Sequence, residues 1–214
     1  MRNLQRGPAP LCLSRFVHGR DSWGDLLEAD RAELWNALVI MQGDRCAYCE
    51  CETFTNERHI EHFRQRSRYT AGTFEWGNLF GSCNNQESCG KHKDSCGVYD
   101  PACLIKADVE NPDDFFIFVR DGTIATRKGL NDAAQLRAEA TLRIFNLDSK
   151  NGRLREMRRA AVLGHWHTVE EIAEFAAGDP DNECGWREFL EEETQKALSL
   201  PFSAAIRHAL TNAQ

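Results

Sequence analysis

"DRCAYCEC", residues 44–51, opens a part of the chain whose fold cannot depend on an ordinary apolar core. It contains Cys46 and Cys49, which are separated by two residues, and a later stretch, "GSCNNQESCG", adds Cys83 and Cys89. Two thiolates at the first spacing can turn back on a single ion, and a second pair from a distant segment completes a tetrahedral site. We therefore predict a structural zinc ion held by these four cysteines.

The second pair leaves alternatives open, because five residues between Cys83 and Cys89 exceed the usual spacing. Three other side chains could replace one ligand: Cys51, Cys96 and His92. The cysteines could instead be small buried apolar residues. A metal site is favoured because seven of the nine cysteines lie between residues 44 and 104, a region rich in Gly, Asn and Ser with little periodicity. We expect metal binding to hold this region together.

Composition limits the classes of function. The chain has 214 residues, of which 42% are hydrophobic, so it can supply a core. Its formal net charge of -7 argues against nucleic-acid binding over the whole surface, so any such site must be local. The first residues show no apolar run of signal-peptide length, and no segment approaches the roughly 20 apolar residues of a membrane span. We expect a cytoplasmic protein without disulfides and without a membrane partner.

The chain divides into three predicted segments. Residues 1–20 contain helix-breaking prolines and too few apolar positions to fold alone, so we expect an arm that lies on the body or on a partner. Residues 21–110 include "DLLEADRAELWNALVIMQG", residues 25–43, whose near-helical apolar spacing ends at Gly43, a glycine stop. Residues 111–214 include "FFIFVRDGTIATR", residues 115–127, which predicts a hairpin about Asp121-Gly122.

The remainder of the third segment is predicted to be helical. Four stretches have helical spacing: "DAAQLRAEATLRIFNL", "SKNGRLREMRRAAVLGHW", "VEEIAEFAA" and "WREFLEEETQKALSL", with a break at Gly178-Asp179-Pro180. They indicate a C-terminal helical bundle. The predicted fold class is therefore α+β, mainly helical.

The stretch "RHIEHFRQRSR", residues 58–68, lies between the two cysteine pairs and combines His59, Glu61 and His62 with a run of arginines. An imidazole with a pKa near 6.5 can take a proton from water at neutral pH and needs only orientation. Two further groups follow in the chain: Asn78 in "WGNL", and His92 with Lys93 after the last cysteine of the second pair.

The order of these motifs resembles that of the HNH, or ββα-metal, nucleases, and the resemblance covers about residues 44–96. In that family an acid–histidine pair ends the first strand, an asparagine follows, and a histidine lies on the helix. The stretches "RNLQRGPAP", "CAYC", "HIEHFRQRS", "WGNLFGSCN" and "CGKHKD" are similar to the HNH subunits (PtuB-like) of Septu-type antiphage systems and of retron cassettes. The resemblance implies a small zinc-stabilised ββα-metal (HNH) nuclease core within residues 21–110.

The resemblance also implies a role for each matching residue. His62 corresponds to the general base, and Asn78 to the residue that steadies the loop holding it. Glu61 and His92 would hold one Mg²⁺ or Mn²⁺ ion, which neutralises charge on the scissile phosphate. Gly90 stands directly after the last cysteine, where the family commonly has a histidine or asparagine, so the ligand role passes to His92 by proximity.

Other assignments stay open. His59 precedes His62 by three residues, which in a strand would place them on opposite faces; if His59 faces the site, it could be the base instead. Lys93 could contact a phosphate. The same role is expected of three arginines, whose planar head groups bind phosphate in bidentate geometry: Arg64, Arg66 and Arg68.

These features predict a metal-dependent HNH endonuclease that hydrolyses phosphodiester bonds of nucleic acid, with DNA favoured over RNA. The resemblance implies an antiphage complex with an ABC-type ATPase subunit (PtuA-like), and in retron cassettes also with a reverse transcriptase and its RNA. Residues 1–20 would dock on such a partner. The alternative is a zinc-stabilised structural adaptor without catalytic activity. It stays open because His92 stands two residues after the position of the family's histidine and because the chain has a net negative charge.

Overall fold

The computed structural model describes residues 1–149, 152–178 and 183–211. The described ranges contain seven α-helices and two two-stranded antiparallel sheets, which confirms the predicted α+β, mainly helical class. The helices are α1 (Glu28–Gln42), α2 (Cys89–Ser95), α3 (Asp132–Ile144), α4 (Arg153–Gly164), α5 (Trp166–Gly178), α6 (Glu183–Ala197) and α7 (Ser203–Thr211). The strands are β1 (Arg58–His62), β2 (Leu79–Cys83), β3 (Phe116–Phe118) and β4 (Ile124–Thr126).

Helix α1 follows the predicted pattern and supports the first sheet. It buries Leu34, Leu38 and Met41 at helical spacing, and it ends at Gly43, whose φ of 67° is the left-handed conformation that favours glycine. The last residue of the helix, Gln42, accepts a hydrogen bond from the Gly81 amide of β2 at 2.9 Å and donates one to the Gly81 carbonyl at 2.9 Å. These bonds fix the sheet against α1.

The N-terminal segment lies on the body of the protein. Met1, Leu4 and Leu13 are buried, and the Leu4 amide donates to the Ala107 carbonyl at 2.9 Å. Arg6 forms an ion pair with Asp108 at 2.5 Å and donates to two backbone carbonyls beside β2. The segment therefore packs on the core, and its predicted contact with a partner stays a prediction.

The predicted hairpin is confirmed. β3 and β4 pair in antiparallel register, with Phe118 opposite Ile124, and the turn contains Gly122 at a φ of 87°. A Cβ atom at Gly122 would overlap the Arg155 carbonyl of α4, so this glycine serves both the turn and a close helix contact.

Helices α3 to α7 confirm the predicted helical C-terminal half. Helix α7 was not predicted as a separate element, although it buries six residues and packs against β3 and α4. One apolar core draws on residues from all three predicted segments, and a smaller cluster holds α5, α6 and α7 together. Of the predicted break, Asp179 and Pro180 lie outside the described residues. No helix within the described ranges has both the length and the apolar character needed to cross a bilayer.

Candidate active site and metal centre

The four cysteines predicted as one ligand set lie together in the fold. Cys46, Cys49, Cys83 and Cys89 are all buried, and their sulfur atoms lie within 4.8 Å of one another. The sulfurs of Cys49 and Cys83 are 4.0 Å apart. Zinc–sulfur bonds of about 2.3 Å place tetrahedral ligands at about this separation. The group could therefore hold a structural metal such as zinc.

A tight turn brings the first pair of cysteines together. The amide of Cys46 donates to the carbonyl of Cys51 at 2.9 Å, and the amide of Glu50 donates to the carbonyl of Cys46 at 3.0 Å. Glu50 has a φ of 67°, which is costly for a residue with a side chain. Its buried carboxylate compensates by accepting hydrogen bonds from Ser203 and Ala204 at the start of α7. Helix α7 thus holds the turn that carries Cys46 and Cys49 in place.

The donor set fits zinc. Burial raises the pKa of the Cys89 thiol, so four buried thiolates require a cation among them.

The three side chains that could have replaced a zinc ligand were Cys51, Cys96 and His92. Among the described residues, the four cysteines form the only group of three or more Cys, His, Asp or Glu side chains close enough to share one metal ion, and Cys51 is not part of it. Cys96 lies instead beside His92, at 3.2 Å from its Nδ1 atom.

The four cysteines lie at one end of the β1–β2 sheet, since Cys83 ends β2 and Cys89 begins α2. β1 pairs with β2 in antiparallel register, with His62 opposite Leu79, and α2 begins directly at Cys89. The end of β1 opens into a cleft of about 590 Å³. His59, Glu61 and His62 all line this cleft, so both histidines border the same cavity despite their odd spacing. His62 is the last residue of the strand, where alternation no longer sets the direction of the side chain.

His62 is held as a neutral imidazole with one free nitrogen. Its Nε2 atom lies 3.0 Å from the carbonyl oxygen of Thr73, and because a carbonyl can only accept, Nε2 carries the proton. Nδ1 has no hydrogen-bond partner among the described residues. Burial lowers the pKa of His62 below its ordinary value of 6.5. The ring can therefore accept a proton at Nδ1 at neutral pH.

Asn78 lies where it can steady the loop that follows His62. Its Oδ1 atom accepts from the Arg64 amide at 2.7 Å, and its Nδ2 atom donates to the carbonyls of Arg64 and Gly72, both at 3.1 Å. Gly72 precedes Thr73, whose carbonyl holds His62. The Asn78 side chain is thereby connected to the orientation of the imidazole through one short piece of backbone.

Glu61 lies between two cationic or basic groups. Its Oε1 atom forms an ion pair with the Nζ atom of Lys93, and its Oε2 atom lies 3.3 Å from Nε2 of His59. The Nδ1 atom of His59 lies 2.9 Å from Oδ1 of Asn84, which can only accept, as can the Glu61 carboxylate. In the neutral ring that donates to Asn84, Nε2 keeps a lone pair, which can face Glu61 favourably only with a cation between them. His59 and Glu61 thus offer one nitrogen and one oxygen donor on the same face of β1.

Lys93 does not have the predicted role. It is 0% exposed, and its Nζ atom also donates to the His62 carbonyl at 2.7 Å. Burial by itself would lower the pKa of Lys93, but the Glu61 carboxylate outweighs it and the net pKa is raised, so the ammonium is retained. A buried, paired ammonium cannot reach a phosphate in solution. We therefore correct the expected phosphate contact to a counter-charge for Glu61.

His92 is also placed differently from the prediction. Its Nδ1 atom lies 2.9 Å from the carbonyl of Ile144 at the end of α3, and no described contact joins it to Glu61. The proposed ligand pair is therefore not assembled, because one turn of α2 directs His92 towards α3 and Lys93 towards Glu61. The histidine beside Glu61 is His59.

The three arginines differ in their surroundings. Arg64 donates to both carboxylate oxygens of Glu75 at 2.9 Å and lies over the Tyr69 ring, so it is already paired. Arg66 is exposed and lines the cleft. Arg68 is exposed outside the lining of this cleft. Only Arg66 of the three is thus placed at the candidate site.

The Glu61 side chain packs directly against Gly90 and leaves no room for a side chain at position 90. A Cβ atom at Gly90 would lie 2.5 Å from Oε2 of Glu61. Gly90→Ala should therefore displace the carboxylate and lower the free energy of unfolding by about 1–3 kcal/mol, as overpacking does. Gly164→Ala in α4 is the control, because a Cβ atom there meets nothing within 4 Å. Equal unfolding free energies of the two variants in denaturant titrations would contradict this account.

Sequence reasoning missed two residues around His62. Thr73 contributes only a backbone carbonyl, which leaves no mark in residue type. Trp23 precedes α1 and lies 39 positions from His62 in the chain, yet its ring contacts the imidazole. The pairing of His59 with Glu61 did have a signal, since residues two apart in a strand share a face.

Comparison with known proteins adds no family to this geometry. No protein-family model matches the chain, and no curated protein matches it.

Proposed function

We propose that the protein is a metal-dependent endonuclease of the HNH type that hydrolyses phosphodiester bonds in nucleic acid. The observation that carries this proposal is the arrangement of β1, β2 and α2 over a cysteine cluster, with Glu61 and a neutral His62 at the mouth of an open cleft. This arrangement supports the ββα-metal core that the sequence resemblance implies.

His62 is the proposed general base. Its Nδ1 lone pair would take a proton from the attacking water, while the Thr73 carbonyl keeps Nε2–H in place. Asn78 holds the loop that carries this carbonyl. Arg66 is the proposed phosphate contact, since it is exposed at the cleft.

His59 and Glu61 are the proposed ligands of the catalytic cation, in place of Glu61 and His92. Two donors suit Mg²⁺ or Mn²⁺, which keep several waters and take phosphate oxygens as further ligands. When bound, such an ion supplies positive charge to the scissile phosphate. Lys93 holds one oxygen of Glu61 and leaves the other towards His59.

This ligand assignment predicts different behaviour of two histidine variants. His59→Ala should raise the Mn²⁺ concentration needed for half-maximal cleavage, because it removes one of two protein donors. Loss of a residue that only supports a ligand already costs about 10- to 100-fold in metal affinity, so the increase should be at least of this order. His92→Ala is the matched control and should leave this concentration unchanged. The reverse result would restore the assignment to His92.

Cleavage of plasmid DNA and bulk RNA tests the function itself. The purified protein would be assayed with Mg²⁺ or Mn²⁺, alone and with a candidate ABC-type ATPase, in parallel with His62→Ala. Cleavage lost in the variant establishes the nuclease and identifies the polymer. Cleavage equal in both proteins refutes the assignment of His62.

A structural adaptor is the second candidate, and one observation favours it. The Lys93 ammonium already balances the charge of Glu61, which reduces the attraction of this carboxylate for a cation. In an adaptor the zinc-bearing fold would only present a surface to a partner. His62→Ala would then leave every activity of the complex unchanged.

The wider role rests on the sequence resemblance. We propose an effector subunit of an antiphage complex with an ABC-type ATPase, joined in retron cassettes by a reverse transcriptase and its RNA. The N-terminal segment remains the proposed contact. Although it packs on the core, Leu11 is 82% exposed and Val17 is 50% exposed, so both side chains are accessible to a partner.

A further inference from the structure

An aromatic side chain from the N-terminal part of the protein lies against His62. The ring centroids of Trp23 and His62 are 4.5 Å apart, and the ring planes are inclined by 76°. Edge-to-face packing at this distance is a favourable and directional contact. Trp23 belongs to neither β1, β2 nor α2, so the contact joins the candidate site to a distant part of the chain.

The position of Trp23 is itself held by α1. Arg31 donates to the Trp23 carbonyl at 3.1 Å and lies over its ring. The Ser22 amide donates to the Asp25 carboxylate at 2.7 Å, which closes the turn that carries Trp23. The indole is thus part of a fixed turn on a stable helix.

A second aromatic contact connects Trp23 to the loop that holds His62. The Trp23 ring lies 6.1 Å from the Phe74 ring, and Phe74 stacks on Phe16 at 5.0 Å. Phe74 directly follows Thr73, whose carbonyl accepts the Nε2–H of His62. One dipeptide therefore provides both the hydrogen bond to the imidazole and a packing surface for the indole beside it.

We propose that Trp23 is a positioning residue that holds the imidazole of His62 in its productive orientation. This inference rests on the proposed function of His62 as general base. The single hydrogen bond to Thr73 fixes one nitrogen but leaves the ring free to tilt about that bond. The indole blocks this motion and keeps Nδ1 towards the cleft, and a catalytic group must be held closely because small displacements are costly.

Kinetics of three variants test the proposal. Trp23→Ala should lower kcat about 10- to 100-fold with KM unchanged, because a displaced base affects the chemical step and not substrate binding. Trp23→Phe keeps an aromatic edge and should recover most of kcat. Trp186→Ala removes a buried indole in α6, which contributes no residue to the lining of the cleft, and controls for general destabilisation.

Trp23 also lines both the active-site cleft and a neighbouring cavity of about 600 Å³, so the indole could instead contact the substrate. A raised KM with unchanged kcat in Trp23→Ala would assign it to substrate binding and overturn the proposal. Equal losses of kcat in Trp23→Ala and Trp186→Ala would also overturn it.

A spectroscopic measurement separates this inference from the proposed function. The indole ring current should shift the ring-proton signals of one histidine in the NMR spectrum. These signals should vanish in His62→Ala and return to ordinary positions in Trp23→Ala. Signals of His62 that stay unchanged in Trp23→Ala would refute the contact. Wild-type protein that shows the shift but cleaves neither polymer, with the ATPase present, would refute the nuclease and with it the catalytic purpose of the contact.

Discussion

His62→Ala should lower the rate of cleavage by about 10²- to 10⁴-fold, the range that a general base contributes. The reason is geometric. Among the described residues, His62 combines a place in the cleft with a hydrogen bond that leaves Nδ1 free and a buried setting that keeps the ring neutral. Rates should be measured under single-turnover conditions, so that product release does not hide the loss.

The pH dependence follows from the same residue. Burial lowers the pKa of His62, so the neutral, proton-accepting form predominates down to a lower pH than for an ordinary histidine. The rate should rise with pH, and the midpoint of this rise should lie below pH 6.5, the ordinary pKa of a histidine.

His167→Ala is the matched control for His62→Ala. His167 is 84% exposed on α5 and has only a surface contact with Glu171, so its loss should leave cleavage unchanged. If His62→Ala keeps full activity and His59→Ala loses it, His59 is the base. If neither loses activity, the adaptor function is favoured.

Cys83→Ala should abolish stoichiometric zinc binding and the cooperative unfolding of the chain. Structural zinc sites have apparent binding free energies on the order of 10 kcal/mol at pH 7, comparable with the whole stability of a domain. Cys83 ends β2 and joins the turn at Cys49 to the start of α2. Without the ion, the four side chains would be buried thiols with no shared ligand, since burial raises the pKa of Cys89 and keeps it uncharged.

Metal content by atomic emission, together with thermal unfolding followed by circular dichroism, checks this prediction. Cys103→Ala is the control, since Cys103 is exposed and outside the cysteine cluster. Cys51→Ala should also keep its zinc. Retention of one zinc ion per chain by Cys83→Ala would contradict the ligand set, and loss of zinc in Cys51→Ala would bring the fifth thiol into it.

Much of the fold was predictable because its signals are local. The apolar spacing of α1 and its stop at Gly43 depend on neighbours along the chain, as does the turn at Asp121-Gly122. The grouping of the two cysteine pairs was also predictable, since close spacing limits where thiols can point. The helical C-terminal half followed from periodicity, except for α7, whose nine residues are mostly buried and too few to show a clear repeat.

The candidate site was predictable only in part, and α2 shows why. His92 and Lys93 are adjacent in the chain, and their order says nothing about which of them faces Glu61. The rotation of α2 about its axis decides which residue faces Glu61. Two contacts set this rotation: the hydrogen bond from the Cys89 amide to the Phe145 carbonyl, and the packing of Glu61 against Gly90.

The sequence by itself therefore determined most of the elements, the grouping of the two cysteine pairs and the position of the acid–histidine pair. Tertiary structure alone decided that Lys93 is buried against Glu61, that the histidine beside Glu61 is His59, and that Trp23 packs on the imidazole. The physical reason is range: turns, helices and paired thiols depend on residues close in the chain, whereas the direction of a functional side chain depends on packing between distant segments.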